Sequence, residues 1–178
     1  MPLRHLRVIA VFGVLLAAGS AFGGKIDPNN PPSGRFSDDW AEIFMSGGKV
    51  GYYHAAMARH DDLIETQIDF HMRLGRVEQP VTVAMQQRVT EKIDGTVVSF
   101  ASEMNMAKVK STTKGTVRDG KVAIVSSQFG METKEEYDFP QGALMVWGLF
   151  RESLLRGFEP GTTYTLRTYA PDMRMDDA

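Results

Sequence analysis

The feature that most constrains this chain is an alternation of period two. From 64 to 74 the even positions are Ile64, Thr66, Ile68, Phe70, Met72 and Leu74, and the odd positions between them are Glu65, Gln67, Asp69, His71 and Arg73. Successive side chains of a strand point to opposite faces, so this pattern gives one dry face and one wet face. A helix would scatter both sets around its circumference. Residues 81–93 repeat the pattern on odd positions, with Val81, Val83, Met85, Val89 and Ile93 on one face and Gln86, Arg88, Thr90 and Lys92 on the other. The apolar face continues through Val98, Phe100, Met104, Met106, Val122, Ile124, Met131, Tyr137 and Phe139.

Reversals arrive at regular spacing. Asp94-Gly95 separates 81–93 from 97–106, and Asp119-Gly120 separates 109–118 from 121–129. Asp-Gly readily takes positive φ at both central positions, so each pair fits a type I′ hairpin. Asp61-Asp62 and Glu78-Gln79-Pro80 mark two more turns, and Ser46-Gly47-Gly48 joins strands 40–45 and 50–59. This gives eight strands up to Phe139 in an antiparallel meander, with a ninth expected at 162–169.

One helix interrupts the strands. Residues 143–156 place Leu144, Trp147, Phe150, Leu154 and Leu155 within an arc of about 140°, with Glu152, Ser153 and Arg156 pointing away. Gly157 can close it and Pro160 cannot continue it. Such a helix is about 21 Å long and cannot cover a flat nine-stranded sheet. The sheet must either coil around it as a half-barrel or fold into a sandwich, and long strands with a single helix favour the former. The expected fold is mainly β: a strongly curved antiparallel meander sheet of about nine strands, a half-barrel wrapped on one α-helix.

The 178 residues suit one domain. Arg4, His5 and Arg7 precede the apolar run from Val8 to Ala18, and small residues follow to Gly24. A basic start, a short apolar stretch and a small-residue exit describe a secretory signal peptide, expected at 1–23, and the run is short of the ~20 residues of a membrane span. Residues 24–35, rich in Pro, Asn and Gly, read as a flexible leader, 36–170 as the β domain, and 171–178 as the start of a linker or a truncated end. An exported, periplasmic or extracellular, location follows. The net charge is −2, which makes no global electrostatic case for nucleic acid or for an anionic membrane. There is no cysteine, hence no disulfide and no thiolate chemistry.

Other motifs read as structural. His54, His60 and His71 with Asp61 and Asp62 lack the spacing of a zinc site, and His60-Asp61-Asp62 reads as a solvated turn. Ser126-Ser127 sits in a strand rather than at a nucleophile elbow, and Glu132, Glu135 and Glu136 form a charged edge. Gly47, Gly48 and Gly51 lie in a strand–strand turn with no helix start to receive a phosphate. No catalytic residue, metal or cofactor is expected within these residues. The methionines Met72, Met85, Met104 and Met106, beside Phe70, Phe100, Trp147 and Phe150, read first as plain core filling beneath the helix, and as the alternative they form a candidate apolar ligand face.

Trp40 followed by Gly47-Gly48-Lys49-Val50-Gly51-Tyr52 resembles the opening of the domain that stands ahead of the catalytic core in bacterial secreted transglutaminase-like proteins. Pro140-Gln141-Gly142-Ala143, Gly157-Phe158-Glu159-Pro160-Gly161-Thr162 and Tyr169-Ala170-Pro171-Asp172 resemble its end. The likeness spans about 36–175, and the architecture is also similar to that of periplasmic lipoprotein carriers. The resemblance implies an exported, non-catalytic accessory domain with a transglutaminase-like partner in cis, the family's Cys, His and Asp belonging to the following domain. That accessory role is the leading expectation; the alternative, resting on the one-sided sheet, the Met-lined face and the single helix, is a periplasmic binding or carrier protein for a lipid or other apolar ligand, with no stable membrane anchor after cleavage.

Overall fold

A computed structural model describes residues 26–75, 80–157 and 159–171; the expected signal peptide lies outside them. Eight strands follow one another along the chain: β1 (Gly34–Met45), β2 (Gly48–His60), β3 (Leu63–Leu74), β4 (Val81–Lys92), β5 (Val97–Met106), β6 (Val109–Arg118), β7 (Lys121–Gln128) and β8 (Met131–Asp138), then helix α1 (Val146–Arg156). They form a single antiparallel sheet in the order β1 to β8, each strand paired with its sequence neighbour. The meander is as the alternation required, and one sheet replaces the sandwich alternative.

Turn chemistry sets the hairpins. Ser46-Gly47, Asp119-Gly120 and Phe129-Gly130 all have positive φ at both residues, as tight type I′ turns require. The Asp94-Gly95 turn differs from expectation. Only Gly95 has positive φ, the Lys92 N–H donates to Thr96 O at 2.8 Å, and the register slips between Thr90 and Glu91. The longer loop is held by the Thr96 N–H, which donates to the Asp94 carboxylate at 2.9 Å.

The ninth strand is not formed. Of the segment expected to supply it, Thr168 makes only an isolated parallel bridge to Leu144. Tyr169 is instead docked by its ring, 5.4 Å from Phe100 and 4.9 Å from Phe139 between centroids, with its hydroxyl 2.8 Å from that of Tyr137. The helix is also shorter than 143–156, because Leu144 is held extended by that bridge and Met145 is buried beneath the chain. Trp147 and Phe150 are buried as expected, but Leu155 is exposed. Ser153, expected to point outward, is buried, donating to Leu149 O and accepting from the Tyr164 hydroxyl.

Residues 26–33, expected within a flexible leader, pack against the domain. Ile26 joins the Trp147 cluster, Pro31 is fully buried, and Arg59 Nη1 donates to Asn30 Oδ1 and Pro31 O, both at 2.6 Å. A buried proline and two bonds from one guanidinium give this segment something to pack on, which its composition did not show.

Two clusters make the core. Val89, Val97, Phe100, Val122, Ile124 and Met145 form one; Met57, Ile64, Trp147 and Phe150 form the other. Val146 touches both.

Candidate functional site

Cross-strand register divides the inner face of the sheet into zones. At the helix end lie the rows Met57, Thr66, Val89, Phe100, Gly115, Ile124 and Ile64, Glu91, Val97. Next along the strands comes a polar band of Gln87, Ser102, Thr113 and Ser126, aligned across β4 to β7. Beyond it the face is apolar again on β2 to β5, while the row next to the band continues as Ser111 and Gln128 on β6 and β7. Tyr53, Phe70, Met85 and Met104 pair in one row, and Met72, Val83 and Met106 in the next.

The candidate ligand residues therefore separate. Phe100, Trp147 and Phe150 are core, with Trp147 fully buried and Phe100 lying over Gly115, where an added Cβ would come within 2.0 Å of the ring. Phe70, Met72, Met85, Met104 and Met106 share one face at the far end, half-buried except for the exposed Met106. No element among the described residues packs over them in the two core clusters. Burial raises the pKa of the Tyr53 phenol beside them, with Asp39 adding to the shift. Two open depressions lie elsewhere, one lined by Asn29, Asp62, Lys92 and Arg151, the other by Gly157, Glu159 and Thr162–Tyr164.

What anchors the helix over its end of the sheet is a residue that sequence reasoning missed. α1 has no side-chain cap at Met145 and no acidic residue in its first turn. Glu91 of β4 supplies both functions from across the sheet, accepting from the Trp147 N–H at 2.7 Å and the Gly148 N–H at 3.0 Å. Helix starts leave such donors unpaired, and burying one unpaired costs about 1–3 kcal/mol. Glu91 is itself fully buried. Burial pushes its carboxyl up to about 7, while the bonds from Gly148 and Trp147 pull the other way. The Trp147 Nε1–H donates to Ile93 O at 2.9 Å, and Gly95 and Gly148 approach so closely that a Cβ on Gly95 would lie 3.1 Å from Gly148 Cα. A signal for Glu91 existed: it stands at an odd position of 81–93, on the apolar side.

A second cluster occupies the outer face. Trp40 stacks on His54 at 4.0 Å between centroids, and Tyr52 stacks on His71 at 5.5 Å. His54 Nε2 lies 2.7 Å from Asp38 Oδ1, and its Nδ1 lies 3.5 Å from Asp69 Oδ2. The His54 hydrogen bond, followed by Arg35, holds the Asp38 carboxyl below its ordinary value. His71, expected to be simply solvated, is half-buried by this stacking. His60 and Asp61 are exposed at the β2–β3 turn, and no group of three metal-ligating side chains converges among the described residues. Ser126 and Ser127 lie in β7, and Glu132, Glu135 and Glu136 are exposed on the edge strand β8.

No family, curated protein or solved structure matches this chain.

Proposed function

We propose that the protein binds a lipid or another apolar ligand on the Phe–Met rows at the far end of its inner face, as an exported carrier. The observation that carries this reading is the division of one face into a helix-covered core and a half-buried apolar remainder, with the polar Gln87–Ser126 band between them on β4 to β7 and the apolar Ala55 and Ile68 joining them on β2 and β3. Methionine rows adapt to chains of varied shape, and the hydroxyl and amide band would meet a polar end group. The reading includes a sheet curved as a half-barrel around α1. Its support is reach: residues 145–150 share the two core clusters with side chains from Phe36 in β1 to Ile124 in β7. Six strand spacings of a flat sheet amount to about 29 Å, whereas an eleven-residue helix spans only about 16 Å.

The test is displacement of an acyl-chain fluorophore. Met85→Asn with Met104→Asn should weaken binding at least about tenfold, since two apolar contacts are replaced by amides, while the melting transition stays cooperative. Unchanged fluorophore affinity in that variant rejects the reading.

A second reading is favoured by the convergence of Trp40 and Tyr52, 5.7 Å apart on the outer face with Trp40 67% exposed. These belong to the motif that resembles the transglutaminase-associated domain, so this face would dock a catalytic domain in cis. Association of such a domain should be lost in Trp40→Ala; binding unaffected by that change removes the idea.

A further inference from the structure

Hairpin topology sorts the turns into two ends. The β2–β3, β4–β5 and β6–β7 turns lie at the helix end, and they carry Asp61-Asp62, Asp94-Gly95 and Asp119-Gly120. The β1–β2, β3–β4, β5–β6 and β7–β8 connections lie at the opposite end. Six large apolar side chains are exposed there: Phe44, Met45, Val81, Met106, Phe129 and Met131, with Phe129 at 70% and Met131 at 68%. The polar turns at the helix end expose none of comparable size among the described residues. Hairpin tips normally carry the turn-forming polar residues seen at the helix end. Here Phe129 stands in the β7–β8 turn itself, and Phe44, Met45, Val81, Met106 and Met131 stand at the strand ends that flank these connections, on one side only.

Both ends carry basic residues, but they are balanced differently. Lys49, Lys110 and Lys134 stand at the apolar end, each paired with a carboxylate: Glu42, Glu103 and Glu132 respectively. Arg73 and Lys108, both exposed at the same end, add positive charge without a carboxylate partner among the described residues. At the helix end the turn aspartates Asp61, Asp62, Asp94 and Asp119 are matched by Arg59, Lys92, Arg118 and Lys121 at the adjoining strand ends, so the excess of positive charge lies at the apolar end. Neighbouring tips are two strand spacings apart, about 10 Å, so the apolar groups form separate points with bases between them. A protein partner is best served by a continuous apolar centre with charge kept to its rim. Separate apolar points with interleaved lysines suit a fluid interface, where rings and thioethers enter the acyl boundary and ammonium groups stay among phosphates.

We propose that this end of the sheet is a docking rim for an anionic lipid bilayer, entered by the tips that carry Phe44, Met45, Met106, Phe129 and Met131. Docking there also turns the open end of the Phe–Met rows toward the membrane. The rim itself does not depend on a ligand occupying those rows.

Because the chain has no cysteine, single labelling sites can be introduced at will. An environment-sensitive fluorophore is attached to full-length Lys108→Cys or Gln128→Cys at the rim, and to Lys121→Cys at the helix end. Vesicles of phosphatidylglycerol and phosphatidylcholine are then added. A blue shift confined to positions 108 and 128 is expected, weaker with phosphatidylcholine alone. The double variant Phe129→Ser, Met131→Ser should reduce vesicle affinity at least about tenfold, with unchanged melting because both side chains are exposed in the folded state. An equal response at 108 and 121, no response at either, or rim labels buried by self-association in sedimentation equilibrium would overturn the proposal. Acyl-fluorophore binding in the same double variant keeps the two readings apart: it persists if only the rim is disabled, and a loss confined to Met85→Asn, Met104→Asn leaves the rim intact.

Discussion

Glu91 holds the start of the helix from across the sheet. Its folded pKa, raised to about 7 from 4.5, means that between those values the folded state holds a proton that the unfolded chain releases. Stability is therefore fully present below about pH 4.5 and declines as pH rises through about 7, by up to about 3 kcal/mol from this group. Urea midpoints between pH 4.5 and 8 should fall accordingly in the wild type and stay flat in Glu91→Gln, which removes the titration but keeps only one acceptor oxygen for the two helix N–H groups and so starts from a lower midpoint. A wild-type profile without this slope would show that the carboxyl is already ionised in the fold. Sequence made Glu91 visible only as an exception on an apolar face; its partner, a helix start more than fifty residues on, is a tertiary fact. His54 was hidden for another reason. Counting back from the Met45–Gly48 pair places Trp40 opposite Tyr53, but the bulge between Ile43 and Phe44 advances the register so that Trp40 faces His54. A bulge leaves little trace in composition.

Among the elements, the strands were legible because each carries its own period and its own turn. The helix was legible in kind but not in extent. Its apolar arc included Leu144, yet that residue's backbone is claimed by Arg167 O and the Tyr169 N–H, a competition no local pattern reveals. The failed ninth strand is the other side of the same event, since aromatic docking of Tyr169 takes the place of a ladder. Edges are treated differently on the two sides. β8 is short, and Glu132, Lys134, Glu135, Glu136 and Asp138 are exposed along it, a charge pattern that discourages further strand addition. β1 carries two register irregularities and the pair Asp38-Asp39. The attachment of α1 rests chiefly on Trp147, which is fully buried, meets Phe36 edge-on at 5.7 Å and donates to Ile93 O. Trp147→Ala should cost about 3–5 kcal/mol, read as a lower urea midpoint. A variant with near wild-type stability would mean that the helix does not complete the core.

At the scale of the whole molecule, stability and exposure run in opposite directions along the strands. Apart from Pro31 in the packed leader, the fully buried side chains Ile64, Thr66, Val89, Glu91, Val122 and Trp147 belong to the helix end or its adjoining row. The opposite end keeps half-buried methionines and exposed hairpin tips. Opening free energies of backbone amides range from near zero at poorly packed sites to the global value in the core. Within a single strand, native-state hydrogen exchange should therefore show slow amides at residues 88–91 of β4 and 98–101 of β5. Faster exchange is expected at 82–84 and 104–106 of the same strands, although every one of these strands is paired on both sides. Ladder bonding alone would give β4 and β5 uniform protection, so a flat profile would mean that α1 and the two core clusters do not set local stability. A gradient would show that the fold is fastened at one end and left yielding at the other, the end where the Phe–Met rows meet the apolar tips. Addition of anionic vesicles should then slow exchange selectively at 104–106, because the rim and not the helix end would be held.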